Sequence, residues 1–139
     1  MKTVDLGPGL ERLPREECVA LMATQTVGRL VVVDGSRPLV FPVNFVLDGE
    51  APVFRTASGT KLWASSRSSV AFEVDSIDLE TKTGWSVVVH GTAHEVTALD
   101  QPQLQFRIAG LPLVPWAPGE KPSVVRIDPV LITGRRIRH

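Results

Sequence analysis

Residues 29–56 read RLVVVDGSRPLVFPVNFVLDGEAPVFRT. β-branched and aromatic side chains fill three short runs, at 30–33, 39–47 and 52–56. Asp34-Gly35 and Asp48-Gly49 stand between them, and Asp-Gly is a strong signal for a tight hairpin turn. Three antiparallel strands in immediate succession make a meander. Pro42 falls inside the second run and has no N–H to donate, which puts that run at a sheet edge or a bulge.

The pattern extends outward from this meander. Upstream, residues 1–12 read as a loose arm around Gly7, Pro8 and Gly9. A short helix is expected from Pro14, whose missing N–H costs nothing in a first turn, with Glu16 and Glu17 at the positive helix end. Cys18, Leu21 and Met22 then share one face. Downstream, a small-residue break at 58–60 precedes a short helix over 61–67. Strands follow at 70–75 and 84–96, the latter with Val87 and Val89 on one face and Ser86 and His90 on the other. A helix is expected over 100–108, with Asp100 as N-cap and Pro102 in the first turn. An apolar, proline-rich loop covers 109–119, strands at 123–127 and 130–132 close the sheet, and 134–139 form a basic tail. Six or seven strands with few helices point to one mainly β, barrel-like domain over residues 1–139.

Composition bounds the function. The 15 basic and 15 acidic side chains cancel, which argues against a general nucleic-acid binder, since such affinity rests on phosphate neutralisation. The hydrophobic share of 43% and charged share of 22% are those of an ordinary globular domain. No run approaches the ~20 apolar residues of a membrane span, and the N-terminus lacks a secretory apolar stretch, so a cytoplasmic protein is the expectation. The one cysteine, Cys18, forms no internal disulfide and reads as buried structure.

Four places carry potential chemistry. At 54–61, Phe-Arg-Thr-Ala-Ser-Gly-Thr-Lys, a strand ends in arginine and a helix begins beside lysine. Helix N-terminal amides, the Ser58 and Thr60 hydroxyls, and the Arg55 and Lys61 cations suit a phosphate. An ordinary capped helix with solvated cations explains the same residues, and the P-loop pattern is absent. At Pro42-Val43-Asn44-Phe45, proline leaves backbone groups free for a planar heterocycle, or blunts an edge strand. Trp85 and Trp116 serve as core or interface residues by default. The loop carrying Trp116 is nevertheless too apolar to stand bare, and should cover its own barrel, another subunit or a ligand ring. His90 and His94 share a strand face without a third metal ligand, so no metal site is expected. Glu73 and Asp75 also share a face, as a solvated pair or an acid–base pair. No catalytic side chain stands out.

Taken in order, Leu13-Pro14-Arg15-Glu16-Glu17-Cys18, Val27-Gly28-Arg29-Leu30, Pro42-Val43-Asn44-Phe45, Phe54-Arg55-Thr56, Gly59-Thr60-Lys61-Leu62, Val70 to Asp75, Gly84-Trp85-Ser86-Val87, Gly91-Thr92-Ala93, Pro115-Trp116-Ala117-Pro118-Gly119 and Ile132-Thr133-Gly134-Arg135-Arg136 resemble the pyridoxamine 5′-phosphate oxidase-like split-barrel family, in its small bacterial flavin-nucleotide-binding members. The resemblance implies a six-stranded antiparallel split barrel and a homodimer with FMN at the subunit interface. It implies an oxidoreductase acting on a small molecule. Arg55, Thr56, Ser58, Thr60 and Lys61 would then hold the phosphate and ribityl chain. The backbone at Val43 and Asn44 would face the isoalloxazine, Trp85 and Ser86 would line the cleft, and Trp116 would reach the ring from the second subunit. Relatives on this fold use a deazaflavin coenzyme, bind haem or reduce nitroimidazoles, so a deazaflavin-dependent reductase and a non-catalytic flavin sensor are the alternatives.

Overall fold

The structure, a computed structural model, describes residues 9–57 and 68–138. Among these residues the order is β1 (Leu10–Leu13), α1 (Arg15–Met22), β2 (Val27–Asp34), β3 (Arg37–Asn44), β4 (Val46–Asp48), β5 (Ala51–Thr56), β6 (Ser68–Asp78), β7 (Thr83–Val96), α2 (Pro102–Ala109) and β8 (Ser123–Ile137). All strand pairs are antiparallel and belong to one sheet of order β3-β2-β6-β7-β8-β5-β4, with β1 alongside β8. The chain passes from β3 to β4 through Phe45, whose N–H bonds Thr26 O at 3.2 Å, so the two ends of the strand order are joined covalently and the sheet curls.

The meander forms as its turns require. Asp34 pairs with Arg37 and Asp48 with Ala51, leaving two-residue turns that begin at Gly35 (φ 63°) and Gly49 (φ 62°). Glycine takes that left-handed conformation without a Cβ clash. Pro42 lies on β3, a terminal strand of the sheet, where its missing donor costs nothing.

The eight strands differ from the expected six for three local reasons. The supposed loose arm contributes β1, because Leu10–Leu13 pairs with Ile137 to Gly134. The 39–47 run breaks at Phe45, which turns into the core at 3% exposure and separates β3 from β4. The last two strands and the basic tail are one strand, β8, whose irregularity is confined to the shift where Gly91 faces Pro129 and His90 faces Leu131. Arg135 and Arg136 are therefore ladder residues rather than a tail. The helix expected from Asp100 starts one residue later. Gln101 is the N-cap and Pro102 the first helical residue, while Asp100 Oδ2 accepts a 3.0 Å bond from Thr97 Oγ1. The short helix expected over 61–67 lies outside the described residues.

Phe45, Phe54 and Phe72 meet inside the curl, with centroids 5.1 Å apart edge-to-face for Phe45–Phe72 and 6.5 Å apart stacked for Phe54–Phe72. Both geometries suit the ring quadrupole. α1 closes this core with Cys18 and Met22, both fully buried. Burial pushes the Cys18 thiol up from its ordinary pKa, which makes it a packing group rather than a nucleophile. Gly134 on β8 permits that approach, since a Cβ there would overlap Cys18 Sγ. A second, smaller cluster packs α2, through Ile108, on Val53, Val96 and Val124.

Candidate functional site

β5 ends in Phe54-Arg55-Thr56, and alternation decides what each side chain meets. Phe54 points into the aromatic core, while Val53 belongs to the cluster under α2. Thr56 therefore shares the face of Phe54, and Arg55 that of Val53. β4 pairs with β5 through Val46↔Val53, Leu47↔Pro52 and Asp48↔Ala51, and β3, one residue upstream of β4, is also in contact with β5. Val43 and Asn44 at the end of β3 and Arg55 and Thr56 at the end of β5 thus lie on neighbouring strands. The Thr56 hydroxyl is buried there without a hydrogen-bond partner among the described residues. A buried, unpaired hydroxyl costs about 1–3 kcal/mol, a cost that an incoming acceptor would relieve. Ser58, Thr60 and Lys61, the remaining residues expected to hold a phosphate, lie outside the described residues.

Asn44 also organises the proline-rich loop. Its Oδ1 accepts a 2.8 Å bond from the Trp116 N–H, and its Nδ2 donates to Thr26 O at 3.3 Å. Beneath the loop is a cavity of about 480 Å³ walled by Met22, Phe45, Leu47, Leu111, Leu113 and Trp116, with Thr26 and Asn44 at its polar edge. Trp116 itself is 73% exposed. Asn44 therefore fixes the backbone of the loop at Trp116 within one chain, while the indole is turned outward.

Trp85 and Ser86 are placed elsewhere. They line a separate cavity of about 530 Å³ on the outer face of β6, β7 and β8, together with Glu73, Asp75, Ile77 and Arg135. Asp75 is directly opposite Ser86, which in turn faces Arg135. The sequence pattern showed Glu73 and Asp75 on one face, and the structure supplies what it could not: Arg29, on the next strand. Arg29 Nη1 donates to Glu73 Oε1 at 3.2 Å and to Asp75 Oδ2 at 3.1 Å. Desolvation first, and then the hydrogen bond and charge of Asp75, push the Glu73 carboxyl up to about 7, against the opposing pull of Arg29. A Glu73 carboxyl that keeps its proton near neutrality can donate as well as accept.

A further polar network escaped sequence reading. Asp48, at 7% exposure, accepts from Arg107 Nε and Nη2 at 2.8 Å each and from Arg126 Nε at 3.0 Å. Arg126 also pairs with Asp128, and His94 Nε2 lies 3.1 Å from Asp128 Oδ2. The Arg107 hydrogen bonds, with those of Arg126, hold the Asp48 carboxyl below its ordinary range. The only sequence cue was an aspartate in a turn. Among the described residues no group of three metal-ligating side chains occurs, and His94 faces Asp128 rather than a ligand set with His90.

Comparison with known proteins gives this geometry a context. The chain is 38% identical over 132 residues to an uncharacterized protein of Mycobacterium tuberculosis, Rv0080, covering 90% of this chain and 84% of that protein. Its fold superposes on an FAD binding protein from Mycobacterium smegmatis with a TM-score of 0.71 at 35% identity, covering 92% of this chain and 100% of the other. A conserved protein of unknown function from Corynebacterium diphtheriae gives a TM-score of 0.75 at 36% identity, covering 94% and 99%. The sequence pattern of the pyridoxamine 5′-phosphate oxidase family matches residues 14–136, and this chain, with its curled antiparallel sheet, belongs to that family.

Proposed function

We propose that the protein is a flavin-dependent oxidoreductase that holds FMN, or the FMN half of a larger flavin, against the β3–β5 end of the sheet. The observation that carries this reading is the buried Thr56 hydroxyl, without a partner among the described residues, on a strand in contact with the one that carries Val43 and Asn44. An anionic or carbonyl oxygen would satisfy Thr56, and Arg55, on the opposite face of the same strand end, would add its positive charge. Asn44 and its neighbours on a terminal strand would present backbone groups to the flavin ring. The flavin would supply hydride or electron transfer, and the chain would supply position, charge and exclusion of water.

A second copy of the chain completes the reading. β3 has no buried residue along its length, although it carries Val40 at 59% and Phe41 at 40% exposure. An apolar terminal strand exposed in this way is an association or aggregation surface unless covered. In a dimer, the Trp85–Ser86 cavity of one subunit would stand opposite the β3–β5 end of its partner. The Glu73–Asp75 pair would then face a substrate bound over the flavin.

The test is a titration of the purified protein with FMN, FAD and the deazaflavin coenzyme, with sedimentation run in parallel. Flavin binding by a dimer, weakened at least tenfold by Arg55→Ala, is expected. Binding of the deazaflavin alone would change the coenzyme. Binding of none would remove the reading, and flavin binding without turnover under any reductant and acceptor would leave a sensor.

A further inference from the structure

The walls of the cavity beneath Trp116 are uniform in charge. All thirteen residues around it, from Met22 to Trp116, are uncharged, so its occupant is neutral at the point of contact. A volume of about 480 Å³ accommodates a heteroaromatic ring with room for a sugar. Gln25, Thr26 and Asn44 place amide and hydroxyl groups at one edge, suited to ring nitrogens and an exocyclic amine. The Trp116 indole is offered at 73% exposure from a backbone pinned by the 2.8 Å bond to Asn44, so its face is available without a loop that must first be ordered. Asn44 belongs both to this cavity and to the β3–β5 end where the flavin phosphate is placed, so the two sites adjoin.

We propose that the cavity under Trp116 holds the adenine of a dinucleotide flavin, making FAD rather than FMN the preferred ligand of this chain. The inference rests on the flavin reading above. It deepens that reading by assigning Trp116 a stacking role and Asn44 the role of positioning residue for the loop. The 35% identity to a protein that binds FAD agrees with it.

Calorimetric titration of the full chain with FAD, FMN and adenosine monophosphate tests the assignment, using wild type, Trp116→Ala and Trp116→Phe. FAD should bind roughly tenfold or more tightly than FMN, the size expected for one base stacked on an aromatic side chain. Trp116→Ala should reduce FAD affinity to that of FMN and leave FMN affinity unchanged, while Trp116→Phe, which keeps a ring, should retain most of the preference. Adenosine monophosphate should compete with FAD. Equal affinities for FMN and FAD, or equal loss of both in Trp116→Ala with normal binding in Trp116→Phe, would overturn the adenine site and leave the flavin reading standing. Failure of both flavins to bind wild-type protein would overturn both.

Discussion

Replacing Glu73 by glutamine should stabilise the protein at pH 8 and leave its stability at pH 5 nearly unchanged. One nitrogen of Arg29 serves two carboxylates, at 3.2 and 3.1 Å, and the side chains of Glu73 and Asp75 are only 26% and 25% exposed. Two negative charges thus share one positive charge with little water to help. The Glu73 carboxyl accordingly rises from 4.5 to about 7. The folded state holds this proton more tightly than the unfolded chain, so its contribution is complete below pH 4.5 and is lost as pH rises through 7. That rise, at about 1.4 kcal/mol for each tenfold gain in proton affinity, sets a ceiling of about 3.5 kcal/mol. A quarter of the side chain reaches solvent and the charges are screened, which brings the expected gain for Glu73→Gln to about 1–2 kcal/mol at pH 8. With about 2.1 cal/mol/K of unfolding entropy per residue, that corresponds to a rise in Tm of about 3–7 °C. Thermal unfolding at pH 5 and pH 8, at one fixed protein concentration because association would shift Tm, reads it directly. A variant that loses stability at pH 8 would show that the Glu73 charge is an asset to Arg29, and would refute the reasoning.

Three further perturbations follow from the same physics. Asp48→Ala strands Arg107, leaves Arg126 with Asp128 alone, and should cost about 2–3 kcal/mol at pH 7 in denaturant unfolding. Because the Asp48 carboxyl is held below its ordinary range, that difference should persist above pH 5 and shrink as pH falls through the depressed value. Gly28→Ala drives a Cβ into the edge of the Phe72 ring and should cost about 1–3 kcal/mol; Phe72→Leu in the same chain should recover part of the loss, and a neutral single variant would show that the ring has room to move. Thr56→Val removes a buried hydroxyl that has no partner among the described residues. It should leave the free protein as stable or up to about 1 kcal/mol more stable, while lowering flavin affinity about fivefold; unchanged affinity would mean that the hydroxyl serves no ligand.

What the sequence determined by itself is whatever local chemistry dictates. Asp34-Gly35 and Asp48-Gly49 specify turns because only a residue without Cβ takes φ near 60° freely, and the meander follows from them. Cys18 and Met22 are buried because four-residue spacing puts both on one helix face. Val43, Asn44, Arg55, Thr56, Trp85, Ser86 and Trp116 are singled out by sequence only as residue types at strand ends and in an apolar loop.

Tertiary structure decided which of them meet. Pairing across 44 residues puts Arg29 on Glu73, and packing across 72 joins Trp116 to Asn44, contacts that no local pattern encodes. The same holds for β1, whose residues 10–13 lack strand character and become a strand because Gly134–Ile137 offers them an unpaired edge. Asp48 looks like any turn aspartate until Arg107 and Arg126 arrive from opposite sides. Turns and faces are set by a residue and its near neighbours. Charge pairs and cavities are set by register and curl, which depend on the whole sheet at once.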